Sequence, residues 1–200
     1  MDSGLLSLLN GFAASGGTAG EIARLLAQDA IFLLIGVLAI AALLPGSVAG
    51  RRVALSALLA SGLGLGVGQF LAQLWDRARP FADGSGTHAL IAHSADSSFP
   101  SDHAIVAFAI AASLLFWNRR VGVAAFAVAA LVCLARVSVC VHYPTDVLVG
   151  AAVGTGAAMI VQLSRPQGLV RSIADRVGSF YEWLLALLHL TNHAEQRAEG

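Results

Sequence analysis

The feature that most constrains the fold of this chain is a series of long apolar runs without charge. The run from Val53 to Trp75 contains no charged residue and is rich in leucine, alanine and glycine. A helix needs about 20 mostly apolar residues to cross a bilayer. Only 12% of the 200 residues are charged and 57% are hydrophobic, whereas soluble domains carry about 25% charged residues. The sequence therefore predicts an integral membrane protein.

Five segments have the length and composition of membrane helices, or come close to them. They are residues 25–44, 53–75, 103–117, 121–141 and 146–163. None shows the strict alternation of apolar and polar residues that is typical of half-buried strands. Glycines recur in the second and fifth segments, where small residues favour close contact between helices in lipid. We therefore predict an all-α integral membrane bundle that forms one domain, residues 1–165.

The two ends of the chain are apolar but differ from the five central segments. The N-terminal segment, residues 1–17, carries Asp2 and no basic residue before its apolar part, so it is not typical of a cleaved signal peptide. We expect it to remain as an interfacial helix. The C-terminal segment, residues 166–200, has apolar residues at helical spacing. It either lies on the cytoplasmic membrane surface or adds a sixth membrane helix.

The arginines between the apolar segments predict the orientation in the membrane. An arginine pair at 51–52 joins the first and second segments, a pair at 119–120 joins the third and fourth, and Arg165 and Arg171 follow the fifth. With five spans, these loops lie on one side, which the positive-inside rule makes cytoplasmic. The loop 76–102 and the turn 142–145 then lie on the other side. We predict a multi-pass cell-membrane protein whose unusual polar residues are extracytoplasmic.

Three polar motifs share this predicted outer face. The first, "DRARPF", contains Arg77 and Arg79. The second, "SFPSDHA", contains Ser101 and His103. The third, "ARVSVCVHYPTD", contains Arg136, His142 and Asp146. Arginine forks match phosphate oxygens, and a helix start also favours an anion. Two histidines supply a nucleophile and a proton donor, and a carboxylate can orient an imidazole. The motifs predict phosphoryl transfer through a phosphohistidine.

Each of these residues also has a plain structural interpretation. An isolated arginine at the end of a span, such as Arg77, is usually an interfacial anchor, and Ser101 with Asp102 can cap the third span. Arg136 is harder to explain in this way, because an ionisable residue within an apolar run is costly and usually functional. A nucleophilic role for Ser101 is disfavoured, since "FPSDH" lacks the glycine-flanked elbow of serine hydrolases.

Metal and nucleic-acid partners are not predicted. His103, His142 and Asp146 lack the close ligand spacing of zinc sites, so no metal or other cofactor is expected. The formal net charge is zero, and no basic surface is indicated that would bind nucleic acid. The sequence gives no indication of the oligomeric state.

The three motifs resemble the signatures of the type 2 phosphatidic acid phosphatase superfamily, which are usually Lys-x6-Arg-Pro, Pro-Ser-Gly-His and Ser-Arg-x5-His-x3-Asp. The stretch "IAHSADSSFPSDHA" is most similar to the bacitracin-resistance type of undecaprenyl-diphosphatase, and the resemblance covers roughly residues 5–165. It implies the helical architecture shared with vanadium haloperoxidases. It also implies a membrane-embedded enzyme whose partner is a lipid-phosphate substrate, undecaprenyl diphosphate, hydrolysed to undecaprenyl phosphate and phosphate.

The resemblance also implies roles for individual residues. His142 would be the nucleophile, Asp146 its orienting partner and His103 the proton donor to the leaving group; Arg79, Ser101 and Arg136 would hold the phosphoryl oxygens. The chain departs from the motifs at three positions, with Ala72 for the lysine, Ala135 for the serine and Asp102 for the glycine. Arg77 could replace the missing lysine. His93 and Asp96 are further loop candidates without a family role.

Two other functions remain open from the sequence. The first is a phosphatase of the same fold that acts on another lipid phosphate, such as phosphatidate, phosphatidylglycerophosphate or a polyprenyl-phosphoryl sugar phosphate. The missing lysine at Ala72 leaves room for this alternative. The second is a membrane transporter without hydrolytic activity. It is disfavoured because the polar motifs cluster on one face, whereas transporter sites usually lie near the middle of the membrane.

Overall fold

The computed structural model describes residues 2–44, 47–83, 87, 89–164, 168, 170, 172–180 and 183. Within them, every regular element is helical. The α-helices are α1 (Asp2–Ala14), α2 (Thr18–Gln28), α3 (Ala30–Leu43), α4 (Val48–Leu74), α5 (Asp102–Trp117), α6 (Arg119–Ser138) and α7 (Pro144–Leu163), and Pro80–Ala82 forms one turn of 3₁₀ helix. The prediction of an all-α chain is confirmed for this part of the protein.

The described residues contain three or four candidate membrane spans. Helices α4, α6 and α7 are long and apolar enough to cross a bilayer, and α2 with α3 forms a fourth candidate that bends by 44°. Helix α5 is equally apolar but has only 16 residues, or a length of about 24 Å. Length and composition therefore support fewer spans than the predicted five. The differences lie in the short α5 and in the bend that splits residues 25–44.

Helix α5 lies at the centre of the bundle and packs against α3, α4, α6 and α7. Its small side chains allow this, because alanines at 104, 107, 109, 111 and 112 are almost completely buried. Helix α7 approaches most closely at Gly154, where an added Cβ would lie 2.1 Å from the carbonyl oxygen of Ile105. Only glycine fits at such a contact. Gly154 thus allows the close approach of α7 that fixes the position of α5, whose first turn carries His103.

Helices α5 and α7 both begin at the same end of the bundle, and each has a defined N-terminal cap. The hydroxyl of Ser101 caps α5. Helix α7 begins with Pro144 and a capping box in which Asp146 accepts from the backbone N–H of Tyr143. Proline is favoured at the first helical position because it has no N–H to leave unpaired. These two helix starts place the second and third polar motifs side by side.

Helix α6 ends in a tight reversal that brings the chain back towards α7. Cys140 has a φ of 65°, in the left-handed region. The N–H of Cys140 donates to Val137 O at 2.9 Å, and the N–H of Val141 donates to Arg136 O at 3.3 Å. This pair of bonds is a Schellman motif, a common helix ending in which glycine is usual at the left-handed position. The reversal places His142 beside Arg136.

The opposite end of the bundle carries the arginine pairs. A cavity there is lined by residues from the start of α4 and the ends of α5 and α7, including Arg52, Trp117 and Gln162. Arg119 and Arg120 begin α6 at the same end. The predicted separation from the polar motifs is therefore present for the two arginine pairs, whereas Arg165 and Arg171 lie outside the described residues.

The predicted C-terminal segment, residues 166–200, lies mostly outside the described residues. Residues 172–180 are helical, and Ala174 is completely buried. Arg52 at the start of α4 forms an ion pair with Asp175, with Nη2 and Oδ1 3.4 Å apart. This part of the segment therefore packs at the end of the bundle that holds the arginine pairs.

Candidate active site

A cavity of about 210 Å³ lies where the three polar motifs meet. Its walls come from the end of α4, the loop 89–98, the start of α5, the end of α6 and the turn after it. The lining residues are Gly68, Gln69, Ala72, Arg79, His93, Asp96, Ser97, Phe99, Pro100, Asp102, His103, Arg136 and His142. Four of the seven predicted site residues are thus brought together: Arg79, His103, Arg136 and His142.

The position of His142 defines which of its ring nitrogens can react. Its Nδ1 lies 2.8 Å from the backbone oxygen of Ser98. A carbonyl oxygen only accepts hydrogen bonds, so Nδ1 carries the proton and Nε2 has the free lone pair. Nε2 lies 3.4 Å from Nη1 of Arg79 and 3.5 Å from Nη2 of Arg136. The nitrogen with the free lone pair therefore faces two guanidinium groups.

The surroundings of His142 keep its ring neutral. Burial disfavours the charged imidazolium, and the positive charges of Arg136 and Arg79 act in the same direction. Together they lower the pKa of His142 well below 6.5. A depressed histidine pKa means that the neutral ring persists at pH 7. A neutral imidazole has a lone pair with which it can attack phosphorus. The two neighbouring cations can bind the oxygens of the phosphoryl group that is attacked.

Asp146 does not bond directly to His142, although the resemblance implies that it orients this ring. Its Oδ2 is 3.9 Å from Nδ1 of His142. The same oxygen accepts from the hydroxyl of Ser98 at 2.5 Å and from the N–H of Tyr143 at 2.9 Å. The reason lies in the capping box of α7, which turns the carboxylate back towards the start of its own helix. Asp146 therefore contacts Ser98, and Ser98 contacts His142.

Ser98 is the residue that the sequence did not reveal. It is completely buried and is held at three points. Its N–H donates to the backbone oxygen of Arg77 at 2.8 Å, its hydroxyl donates to Asp146, and its carbonyl accepts from His142. Ser98 is the first residue of the motif "SFPSDHA", but its identity does not indicate its contact with the ring, because that contact is made by a backbone oxygen that every residue carries.

Arg77 is bound elsewhere than at the cavity. Its Nη1 lies 2.8 Å from Oδ1 of Asp146 and 2.7 Å from the hydroxyl of Thr145. Its Nη2 donates to Asp2 at 3.1 Å, and the guanidinium lies over the ring of Tyr143. The sequence suggested Arg77 as a substitute for the missing lysine. The structure instead makes it the counter-ion of buried Asp146, and its partner Asp2 ties α1 to this network.

The two arginines that line the cavity are almost completely buried. Arg79 donates from Nη1 to the backbone oxygen of Val141 at 2.8 Å, and its Nε donates to Asp96 at 2.8 Å. Arg136 donates from Nη2 to Nε2 of His93 at 2.9 Å. Both thus contact the loop that carries His93 and Asp96. The sequence had identified these two loop residues as candidates without giving them a role.

The start of α5 contributes His103 and Asp102 to the cavity, but not Ser101. Ser101 is fully buried, and its hydroxyl accepts from the N–H of Ala104 at 3.5 Å. It is absent from the described lining, so its cap interpretation accounts for its position. Asp102, in place of the family's glycine, faces the cavity together with Ala72, which stands in place of the lysine.

Comparison with known proteins gives a consistent result. Residues 52–167 match the family model of the PAP2 superfamily. YbjG of Escherichia coli strain K12, whose name assigns it provisionally to the undecaprenyl-diphosphatases, is 30% identical over 184 residues, 92% of this chain and 91% of that protein. BcrC of Bacillus subtilis strain 168, named an undecaprenyl-diphosphatase, is 33% identical over 140 residues, 70% of this chain and 71% of that protein.

A solved structure has the same arrangement of helices. The crystal structure of LpxE from Aquifex aeolicus superposes with a TM-score of 0.61 and 23% sequence identity, covering 80% of this chain and 94% of that one. At this identity the likeness concerns the fold alone. It extends beyond the three motifs to most of the bundle.

Proposed function

Since the chain belongs to the PAP2 superfamily, we propose that it is a lipid phosphatase that hydrolyses undecaprenyl diphosphate to undecaprenyl phosphate and phosphate. The observation that carries this proposal is the position of His142, whose Nε2 faces Arg79 and Arg136 across a cavity. The names of the relatives support the choice of substrate.

The first chemical step is attack on the terminal phosphorus. The Nε2 lone pair of His142 forms a bond to phosphorus, and the bond from phosphorus to the bridging oxygen breaks. Arg79 and Arg136 bind the phosphoryl oxygens and stabilise the charge that develops on them. His103, which lines the same cavity, donates a proton to the departing oxygen of undecaprenyl phosphate. The product is a phosphohistidine and a neutral His103.

The second step is hydrolysis of the phosphohistidine. A water molecule attacks phosphorus, and the neutral His103 accepts a proton from it. The bond from phosphorus to Nε2 breaks, and its electron pair returns to His142. Phosphate is released and His103 is again protonated, so both histidines return to their starting states. The hydrogen bond from Nδ1 to Ser98 holds the ring in one tautomer throughout.

The orientation in the membrane follows the arginines. We propose five spans, with α5 as the short central one and α2 with α3 as the first. The arginine pairs at 51–52 and 119–120 lie at the end opposite the cavity, and the positive-inside rule then makes that end cytoplasmic. The cavity would open at the outer surface of the cell membrane, where the diphosphate reaches it while the lipid chain stays among the helices.

Another lipid phosphate is the second candidate substrate. The specific observation in its favour is Ala72, which lines the cavity where the family carries a lysine. Without this lysine, two arginines are the fixed cations of the described lining. A monophosphate such as phosphatidate carries less negative charge than a diphosphate, so a site with fewer positive charges suits a monophosphate better.

The experiment that tests the proposal measures phosphate release by the purified full-length protein in detergent. Undecaprenyl diphosphate, phosphatidate and phosphatidylglycerophosphate are supplied separately, each with and without EDTA. We expect the fastest release from undecaprenyl diphosphate and no loss of rate with EDTA, because protein side chains supply all the proposed groups. Faster release from a monophosphate would favour the second candidate. Absence of release from all three would contradict a lipid phosphatase.

A further inference from the structure

One loop of the protein, residues 89–98, provides a partner for each arginine of the cavity. Oδ1 of Asp96 lies 2.8 Å from both Nε and Nη2 of Arg79. Nε2 of His93 lies 2.9 Å from Nη2 of Arg136. Because arginine can only donate, His93 accepts this bond through its free lone pair. The loop thus satisfies the same guanidinium groups that face the reactive nitrogen of His142.

The Asp96 oxygen lies where a phosphate oxygen is expected to bind. The edge of a guanidinium formed by Nε and Nη2 binds carboxylate and phosphate oxygens in the same geometry. Nη1 of Arg79 donates to the backbone oxygen of Val141 at 2.8 Å and also lies 3.4 Å from Nε2 of His142. An anion that binds Arg79 through both Nε and Nη2 must therefore take the edge that Asp96 holds. The carboxylate and the phosphate compete for one place.

The difference in burial makes such an exchange feasible. The side chain of Arg79 is 5% exposed, whereas that of Asp96 is 63% exposed. A buried cation that loses its anion is destabilising, so the state in which Arg79 has no anionic partner is a minor one. An exposed carboxylate that leaves an ion pair regains its hydration at little cost. Phosphate can thus replace Asp96 so that Arg79 has an anionic partner before and after the exchange.

Asp96 is ionised at neutral pH, because the pKa of its carboxyl group is lowered from the ordinary value. Its partial burial alone would raise the pKa of the carboxyl group. The hydrogen bonds from Arg79 and Ser94, together with the charge of Arg79, outweigh that effect and lower the pKa below 3.8. The competing group is therefore a full negative charge at neutral pH.

We propose that Asp96 is a specificity-determining residue, whose carboxylate competes with phosphate for the Nε and Nη2 edge of Arg79. This inference rests on the proposed function, which makes Arg79 a phosphate ligand. A lipid diphosphate displaces Asp96 with the help of its second phosphoryl group and its chain. Inorganic phosphate lacks both, so it binds weakly and is expelled when the carboxylate returns. The exchange limits inhibition by the product.

The test measures binding of inorganic phosphate to the full-length protein in detergent by isothermal titration calorimetry. Asp96→Asn removes the charge but keeps the size of the side chain. We expect it to lower the dissociation constant for phosphate about tenfold, which corresponds to Asp96 holding Arg79 about 90% of the time. Asp96→Glu, which keeps a competing carboxylate, should remain close to the wild type.

A matched control separates local competition from a general change in charge. Asp76 is exposed, follows α4 at the same end of the bundle and is not among the described lining residues. Asp76→Asn changes the net charge by the same amount and should leave phosphate binding unchanged. Melting temperatures in detergent verify that the variants fold, and Asp96→Ser repeats the test if Asp96→Asn does not.

The result that would overturn the inference is unchanged or weaker phosphate binding in the charge-free variants. Weaker binding would mean that Asp96 supports Arg79 instead of competing with its ligand. Equal tightening by Asp76→Asn would also overturn it. Calorimetry requires no turnover, so the outcome is independent of which lipid is hydrolysed. A wild type that releases phosphate from lipids while Asp96→Asn binds phosphate no more tightly sinks this inference and leaves the proposed function intact.

Discussion

The orientation of His142 depends on a single buried serine. The backbone oxygen of Ser98 accepts from Nδ1 of His142, and its hydroxyl is fixed by Asp146. Asp146 is in turn neutralised by Arg77. In this arrangement the carboxylate of Asp146 holds Ser98, and Ser98 holds the ring of His142. In the proposed mechanism, Asp146 and Arg77 would therefore act on the reaction through Ser98 instead of touching the reacting atoms.

Ser98→Ala tests this chain of contacts. The variant keeps the carbonyl but loses the bond to Asp146, so the ring should be less well fixed. We expect kcat to fall about 10–100-fold with little change in KM, because small misplacement of a reacting group has effects of this size. Ser98→Ala combined with Asp146→Asn should be no slower than Asp146→Asn alone, since both remove the same support.

The control is Ser113→Ala in the middle of α5. Ser113 is also completely buried, but its hydroxyl bonds only to the carbonyl of Ala109 in its own helix. Its loss should leave kcat unchanged. Full activity of Ser98→Ala, or losses that add in the double variant, would mean that Asp146 orients His142 without Ser98.

The sequence predicted the reactive groups better than their contacts. The residue types and order in "FPSDHA" and "ARVSVCVHYPTD" led to His103, Arg136 and His142, which line one cavity. The roles of Ser98 and Arg77 could not be predicted, because they depend on how a loop without regular structure returns to the start of α7. Every residue has a backbone carbonyl, so the sequence does not show which residue accepts the hydrogen bond from a histidine.

At the scale of the helices, the site depends on how closely α7 approaches α5. An added Cβ at Gly154 would lie 2.1 Å from Ile105 O, whereas a Cβ at Gly156 meets nothing within 4 Å. Since the obstructing atom belongs to the backbone, the helices themselves would have to separate. Helix α5 carries His103 at its start, so separation would also disturb the cavity.

Gly154→Ala should therefore destabilise the protein, and Gly156→Ala on the same helix should not. Overpacking of this kind costs about 1–3 kcal/mol. We expect a lower melting temperature in detergent and reduced phosphate release for Gly154→Ala. Gly156→Ala should match the wild type in both measurements. Equal melting temperatures for the two variants would show that α5 and α7 are not in close contact at Gly154.

The sequence predicted the helices well but not their breaks. The apolar runs located α4, α6 and α7 to within a few residues. A helix that crosses a bilayer must be long and hydrophobic, and both properties can be read from the sequence. The bend of 44° between α2 and α3 falls within a continuous predicted span. No proline marks that position, since the residue between the two helices is Asp29. The apolar pattern of one segment therefore did not reveal where the helix breaks.

At the scale of the whole molecule, the arginine pairs and the cavity lie at opposite ends of the bundle. The start of α4, with its arginine pair, lies at one end, and the cavity lies at the other. A reporter that is active only outside the cytoplasm should be active when inserted after Ser94, and inactive when inserted after Arg120. The reverse pattern would place the cavity on the cytoplasmic side and contradict the proposed orientation.

In the proposed mechanism, His142 carries the phosphoryl group during hydrolysis. The most direct measurement is phosphate release from undecaprenyl diphosphate in detergent by the wild type and by His142→Ala, with EDTA present. The wild type should release one phosphate per lipid. Loss of the nucleophile should slow the reaction by at least about a thousandfold. Undiminished release by His142→Ala would contradict the account.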